Sequence, residues 1–582
     1  MRFRILCMVI LLVLAQVGSA AAQGPVEGDA GIGDVLYPTL GNGGYDALHY
    51  TLDLAASIEQ QTLAGTVTME AQALATLSAF NLDFYGFDVE QVTLDGAPVD
   101  YARQDGELTV IPPGAIPEGE TFTVAVTYSG TPSENNTTSL SGLGGWYYTD
   151  QGAIVASEPA GAAAWYPVND HPLDKATYTM RIMVPAPYVV AANGTLVETI
   201  EEGEKRTYVW ETRDPVASYL VTVNIDDFVV ETSEGPDGLP IRNYFPPTLV
   251  DLASRDFAPT AQMIAYFSEI FGPYPFEAYG VVVADADLGF ALETQTISLF
   301  ARNWISGTGQ AEETIAHELA HQWYGDSVGL AQWNDIWLNE GFATYASWLW
   351  FEHKTGLADI TTTRAMDAYI RIAGDTAGYQ IQLSQRQLLE LMDYLPLEDM
   401  VFSGEDVQAL ARLLLADALT PEAIDAFVAE FPAGDLVGRD IVQLVAILPF
   451  DSVLLGLEQI NTLADLLDMD EGLPPGYVLP RSNYLPPGRP SLYNLFNQGM
   501  YSRGALVLHA LRLRVGDEAF FETMRTYHER FKNSNATTAD FIAIAEEIAG
   551  EDLDDLFDAW LYDFILPDWP EMGLSAQMGL TQ

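Results

Sequence analysis

Cysteine is almost missing from this 582-residue chain: the one present is Cys7, close to the amino terminus. Everything after it lacks a thiol, which excludes disulfide stapling, thiolate metal ligation and a cysteine nucleophile. Positive charge is the second scarcity. Lys and Arg total 25 against 82 Asp and Glu, for a formal net charge of −57, and the only lysines are Lys175, Lys205, Lys354 and Lys532. Such a field repels phosphate backbones and anionic lipid, so the reading is no nucleic acid among the partners. Long apolar runs are also few. The one at Ile5–Val17 follows Arg2 and Arg4 and exits through Gly18, Ser19, Ala20, Ala21 and Ala22, the pattern of a secretory signal peptide over residues 1–22. Its roughly 13 residues fall short of the roughly 20 that span a bilayer, so no membrane span is expected after cleavage. The Leu-rich stretch Leu410–Leu415 is interrupted by Arg412 and reads as one face of an amphipathic helix.

What is present is a globular composition, 48% hydrophobic and 18% charged, in a chain long enough for several domains. From about Tyr45 to Phe228 the hydrophobic period is two. Phe122, Val124, Val126 and Tyr128 alternate with polar or small neighbours, as do Tyr178, Met180, Ile182 and Val184, and the segment around Tyr219, Val221 and Val223. This predicts an N-terminal antiparallel β domain over 23–240. After Phe245-Pro246-Pro247 the period becomes helical, with helices expected at Ala261–Phe271, Glu312–Tyr324, Asp335–Phe351, Gly504–Val515 and Thr538–Ala549. A mainly helical domain therefore occupies 241–582. Within it, residues 361–475 form an acidic, Leu- and Ala-rich helical block, followed by a Pro-rich stretch, Pro474 to Pro490.

The chemistry lies in His317-Glu318-Leu319-Ala320-His321. Helical residues at i and i+4 share a face, so both imidazoles can bind one metal ion, and Glu318 between them can take a proton from a water activated there. Ile315, Leu319 and Trp323 make a separate apolar stripe, which suits a central helix buried on two sides. Glu340, in Trp337-Leu338-Asn339-Glu340-Gly341-Phe342-Ala343, supplies a carboxylate from a second helix. Two His and one Glu leave a fourth position open, as catalytic zinc requires. His49, His171, His353, His509 and His528 have no ligand-spaced partner and read as packing or surface residues.

The stretch His317 to Ala343 resembles the core of the zinc aminopeptidases related to aminopeptidase N, whose relatives include leukotriene hydrolase. Phe271-Gly272-Pro273-Tyr274-Pro275-Phe276 and Trp165-Tyr166-Pro167-Val168-Asn169-Asp170-His171-Pro172 are similar to that family's other markers. The resemblance implies a multidomain α+β architecture: a saddle-like β sandwich, then a thermolysin-like catalytic domain. Here 361–475 would be a helical insertion, and the chain would be a short form lacking the C-terminal helical domain. It also implies one Zn2+ per chain on His317, His321 and Glu340, with Glu318 as proton acceptor. The family's Gly-x-Met-Glu-Asn element is matched by Phe290-Ala291-Leu292-Glu293-Thr294, which makes Glu293 and Ala291 substrate-binding residues with Glu293 holding the α-amine. Glu158 occupies the place of a second amine-binding group. Tyr501, in Tyr501-Ser502-Arg503-Gly504-Ala505, matches the family's catalytic Tyr, although the interval from Glu340 is longer by about the length of the helical block.

The expected function is a secreted aminopeptidase that removes the N-terminal residue of peptides with a free amine through a zinc-activated water. Its location would be extracytoplasmic, secreted or in the cell envelope, of a bacterium. The competing readings are a catalytically silent peptide-binding relative and an epoxide hydrolase of the same fold. A thermolysin-like endopeptidase would share the two His and the Glu but lack the amine-holding Glu293.

Overall fold

The computed structural model describes residues 24–575 apart from 105, 133–143, 377–379, 393–394, 396, 398–399, 430–435, 438, 468–483 and 492–493. The signal-peptide segment and most of the Pro474–Pro490 stretch lie outside the described residues.

The alternating segments build an eight-stranded sheet. Its central hairpin is Tyr45–Ser57 with Thr62–Ala73. On one side lie Thr121–Gly130, Asp88–Leu94 and the short edge Ala97–Pro98; on the other lie Thr177–Pro185, Lys205–Glu211 and Thr195–Glu202. Thr121–Gly130 buries Phe122, Val124, Val126 and Tyr128 on one face and pairs antiparallel with the hairpin from Leu63 opposite Gly130 to Gln72 opposite Thr121. One pairing departs from the expected antiparallel pattern: Thr177–Pro185 runs parallel to Tyr45–Ser57. A parallel neighbour needs a long crossover, which the chain between Ser57 and Thr177 supplies. The segment around Tyr219 also differs. It makes a 3₁₀ turn at Ser218–Leu220 before a strand at Val223–Asp226, and it is buried on all sides, so alternation there carries no strand signal.

In the second half a four-stranded sheet runs Val229–Glu234, Pro240–Phe245, Tyr279–Ala284, Ser298–Ala301, the last three mutually parallel. The first helices of this half are α1 (Val250–Asp256), α2 (Thr260–Phe271), α3 (Glu312–Ala320) and α4 (Trp337–Thr355), and the last two carry site residues. Helix α3 stops four residues short of the predicted Tyr324. Beyond it Asp326, Ser327 and Val328 donate their N–H groups to His321 O, Gln322 O and Trp323 O, a wider turn completed at Gly325 with φ +130°. Helix α4 runs on to a left-handed Gly356, whose N–H caps Glu352 O.

Helix α5 (Ile360–Thr376) packs on α4, and the block beyond it contains α6 (Gln385–Met392), α7 (Gly404–Leu415), α8 (Pro421–Val428), α9 (Arg439–Ile447) and α10 (Leu457–Leu466). Two small strand pairs join them, Gln380–Ser384 with Ser452–Gly456 and Val401–Phe402 with Leu436–Val437. In α7 the run Leu410–Leu415 is half of an amphipathic helix with a Ser403–Asp406 capping box, as its broken hydrophobicity predicts. The chain then forms α11 (Gly504–Val515), α12 (Asp517–Phe531), α13 (Thr538–Ala549) and α14 (Asp554–Phe557).

The two halves are joined through a buried carboxylate. Asp34 accepts from Leu36 N and Tyr37 N with one oxygen and from Trp333 N, at 2.7 Å, with the other, which also lies 3.0 Å from His171 Nε2. His171 is thus a buried structural residue. No helix among the described residues is long and apolar enough to cross a membrane.

Candidate active site

Helix α3 is buried by Ile315, Leu319 and Trp323, as the stripe predicts. The Phe271–Phe276 motif braces it: Trp323 Nε1 donates to Gly272 O at 2.9 Å, and Tyr274 Oη to Gln322 Oε1 at 3.2 Å. The opposite face presents His317 and His321, whose Nε2 atoms lie 3.0 Å apart. Glu340 Oε2, one turn into α4, stands 3.2 Å from His317 Nε2 and 3.6 Å from His321 Nε2. His321 Nδ1 lies 3.1 Å from Tyr324 O, a bond that uses the Nδ1 proton and leaves Nε2 free as a ligand. Two imidazole nitrogens and a carboxylate turned toward one point in a buried site is a donor set that fits zinc, and three ligands leave a position open.

Carboxylates dominate the surroundings. Glu158, Glu293, Glu318 and Glu340 are all buried. Burial, reinforced by Glu293 and Glu340, pushes the Glu318 carboxyl well above the usual range, although His321 opposes this. Glu158 is raised by burial and then by Glu293, Glu340 and Glu318. Glu293 is raised by burial too, against the pull of His321. Burial acts against charge on His321, but Glu293, Glu340 and Glu318 outweigh it and push the imidazole up to about 10. So much negative charge around two imidazoles is an environment made for a cation.

Glu293 sits on a segment paired against the sheet edge, where Leu292 N donates to Leu299 O at 2.9 Å and Leu299 N returns the bond at 2.7 Å. The backbone turns back at Thr296 (φ +68°), whose N–H bonds Gln322 Oε1, while Gln322 Nε2 donates to Glu293 O. The α3 turn therefore fixes the height of Glu293. Thr294, in the place of the family's Asn, donates its hydroxyl to Ile297 O and closes the same turn. Glu158 enters from the β domain. Glu158 Oε1 and Glu293 Oε1 are buried, have no hydrogen-bond partner, and line one cavity with the metal donors.

Tyr501 lies in a wide turn, Gly499–Arg503, that opens α11. Its ring stacks on His317 at 5.9 Å between centroids, with the planes 25° apart. Burial and the Glu340 and Glu158 carboxylates push its phenol well up, so it keeps its proton and remains a donor. Arg503 anchors the turn by donating to Trp560 O, Ala559 O and Asp563 O.

These side chains line a cavity of about 470 Å³. All eight residues singled out in the sequence line it: Glu158, Ala291, Glu293, His317, Glu318, His321, Glu340 and Tyr501. The sequence reading missed Trp304, Glu313, Trp348, Arg371, Phe496 and Gln498. Helical spacing could have flagged two of them, since Glu313 is one turn before His317 and Trp348 two turns after Glu340. Phe496 and Gln498 precede Tyr501 by five and three residues, whereas Trp304 and Arg371 come from other segments with no local signal. The remaining histidines stay outside the cavity: His49 faces Thr177, His509 faces Tyr345, His528 faces Ser327 and His353 stacks on Tyr266.

Comparison with known proteins agrees with this geometry. The model of the Peptidase family M1 domain matches residues 256–446 and 489–560, and that of the Peptidase M1 N-terminal domain matches 46–220. Aminopeptidase 2 of Candida albicans is 27% identical over 320 residues, 52% of this chain and 34% of that protein. This chain thus spans about a third of the fungal relative's length. Aminopeptidase N of Acetobacter pasteurianus is 26% identical over 318 residues, covering 51% of this chain and 88% of the other. Among solved structures, a mutant M1 zinc metallopeptidase from Deinococcus radiodurans bound to a Tyr-Ser-Ala substrate superposes with a TM-score of 0.68 at 26% identity, over 93% of this chain and 100% of that one. With both family domains matched in order and the donor set in place, the chain belongs to peptidase family M1.

Proposed function

We propose that this protein is a zinc-dependent aminopeptidase that removes the N-terminal residue of peptides carrying a free amine, and that it acts outside the cytoplasm. The observation that supports it best is the pair of buried, unpartnered oxygens of Glu158 and Glu293 in the cavity that holds the metal donors. An α-ammonium satisfies both, whereas an internal peptide segment would leave them buried without a partner. The extracytoplasmic part rests on the Arg2, Arg4 and Ile5–Val17 pattern.

Zinc on His317, His321 and Glu340 would supply Lewis acidity toward a water and the scissile carbonyl. Glu318 takes a proton from that water as its oxygen forms the new bond to the carbonyl carbon, then delivers the proton to the leaving amine as the C–N bond breaks. The Tyr501 hydroxyl donates to the oxygen on which negative charge develops. Glu293 and Glu158 fix the amine, so only the first peptide bond reaches Glu318 and Tyr501.

The test is a panel of aminoacyl-nitroanilides, free and N-acetylated, with and without a chelator. Chelator-sensitive cleavage confined to the free amines is the expected result, with acetylation costing about a hundredfold or more. Equal cleavage of both forms would overturn the amine reading. No cleavage with zinc bound would leave a peptide-binding role.

A further inference from the structure

Five glutamates line the cavity holding the metal donors: Glu158, Glu293, Glu313, Glu318 and Glu340. Among the described residues Arg371, on α5, is its only Arg or Lys. Arg371 is exposed, with no hydrogen-bond acceptor and no ion-pair partner among the described residues; the phenol of Tyr484 lies in its field. A second groove leads on from the first and shares Glu313, Trp348 and Arg371 with it. Among the described residues this groove holds one other basic residue, Arg364, and that one is committed: it pairs with Glu313 and lies over the Phe351 ring at 4.6 Å.

The order of groups along the cavity gives it a direction. Glu158 and Glu293 hold the amine beside the metal donors. Glu313 is one turn from His317 along α3, about 6 Å, on the way out. An extended tripeptide spans roughly 10 Å, and a chain anchored at Glu293 that follows the cavity into the adjoining groove would pass His317 toward Glu313, Trp348 and Arg371. Glu313 is already neutralised by Arg364, and the guanidinium at that end stays available for a carboxylate.

Building on the aminopeptidase reading, we propose that Arg371 recognises the C-terminal carboxylate of short substrates, so that the enzyme favours small peptides with a free C-terminus over amidated or long ones. A planar guanidinium suits a carboxylate, and an otherwise acidic cavity would repel that end of the peptide without it.

The test uses the zinc-loaded Glu318→Gln variant, in which turnover is slowed about 10²–10⁴-fold, and calorimetry with trialanine and trialanine amide. The free acid should bind about tenfold tighter than the amide, and adding Arg371→Gln should reduce that ratio to about twofold or less. The Arg371→Gln single variant should lose about tenfold more activity on trialanine than on aminoacyl-nitroanilides, which carry no carboxylate. Equal binding of acid and amide, or a preference that survives Arg371→Gln, overturns the proposal. Tight binding of an Ala-Glu-Ala amide that depends on Arg371 would assign the guanidinium to an acidic side chain and overturn it as well. Failure of the aminopeptidase reading would appear separately, as silence of the unsubstituted enzyme on the nitroanilides.

Discussion

Gly341 and Gly504 meet backbone to backbone. A Cβ built on either glycine would stand 2.8 Å from the other's main chain. Gly341 follows Glu340, one of the three candidate metal donors, on α4, and Gly504 opens α11 three residues after Tyr501, so this contact sets the distance between that carboxylate and the phenol. Neither glycine is needed for a positive φ; what each provides is the absence of a side chain.

Gly504→Ala should therefore part α4 from α11. Overpacking of this kind costs about 1–3 kcal/mol. The expected outcome is a lowered melting temperature and a loss of kcat of about tenfold or more, with zinc still bound, measured by calorimetry, nitroanilide kinetics and metal analysis. Unchanged kcat would show that the contact does not position Tyr501.

Substitutions in the cavity should divide by role. Glu318→Gln removes the proton acceptor and should lower kcat by about 10²–10⁴ with little change in KM. Tyr501→Phe should lower kcat by about 10²–10³ through loss of one donor to the developing charge. Glu293→Gln should act mainly on substrates with a free amine and narrow the gap between free and acetylated compounds. Steady-state kinetics on both compound sets separates the three.

Metal binding should release protons. In the metal-free site the acidic neighbours push His321 up to about 10, so it is charged at pH 7, and it must be neutral to ligate. Zinc titration in buffers of different ionisation enthalpy should report about one proton or more released per ion at neutral pH. Zinc affinity should weaken as pH falls, and a chelator should abolish activity that zinc restores. Binding without proton release would contradict the charged state of His321.

Stability away from the metal should rise as pH falls from 7 toward 5. Burial raises Glu107 to about 7 and Asp170, Asp226 and Asp335 to about 6. The folded state binds protons at these acids before the unfolded chain does, so their charging weakens the fold as pH rises through those values. Asp174, raised by burial to about 8, acts in the same direction, and these acids outnumber the histidines lowered by burial, His49, His509 and His528, which act in the opposite sense below 6.5. Thermal melts between pH 7 and 5, with zinc absent in every sample, check the direction; a fall in melting temperature over that interval would contradict it.

What the sequence determined by itself is local and periodic. The i, i+4 spacing of His317 and His321 puts both rings on one face of any helix, and the Ile315–Leu319–Trp323 stripe says which other face is buried. Alternation made Thr121–Gly130 and Thr177–Pro185 legible as strands, because one face of each meets the core. The same rule failed at Tyr219, where the chain is buried on all sides. It could not mark the end of α3 at Ala320, since the wider turn there depends on bonds back to His321, Gln322 and Trp323. Tertiary structure alone decided how distant segments meet. Glu158 arrives from the β domain, Arg371 from the helix after α4, and Phe496 and Gln498 from beyond the 361–475 block. These residues share no period with the metal helix, so their grouping depends on packing such as the bare contact of Gly341 with Gly504, which no local pattern encodes.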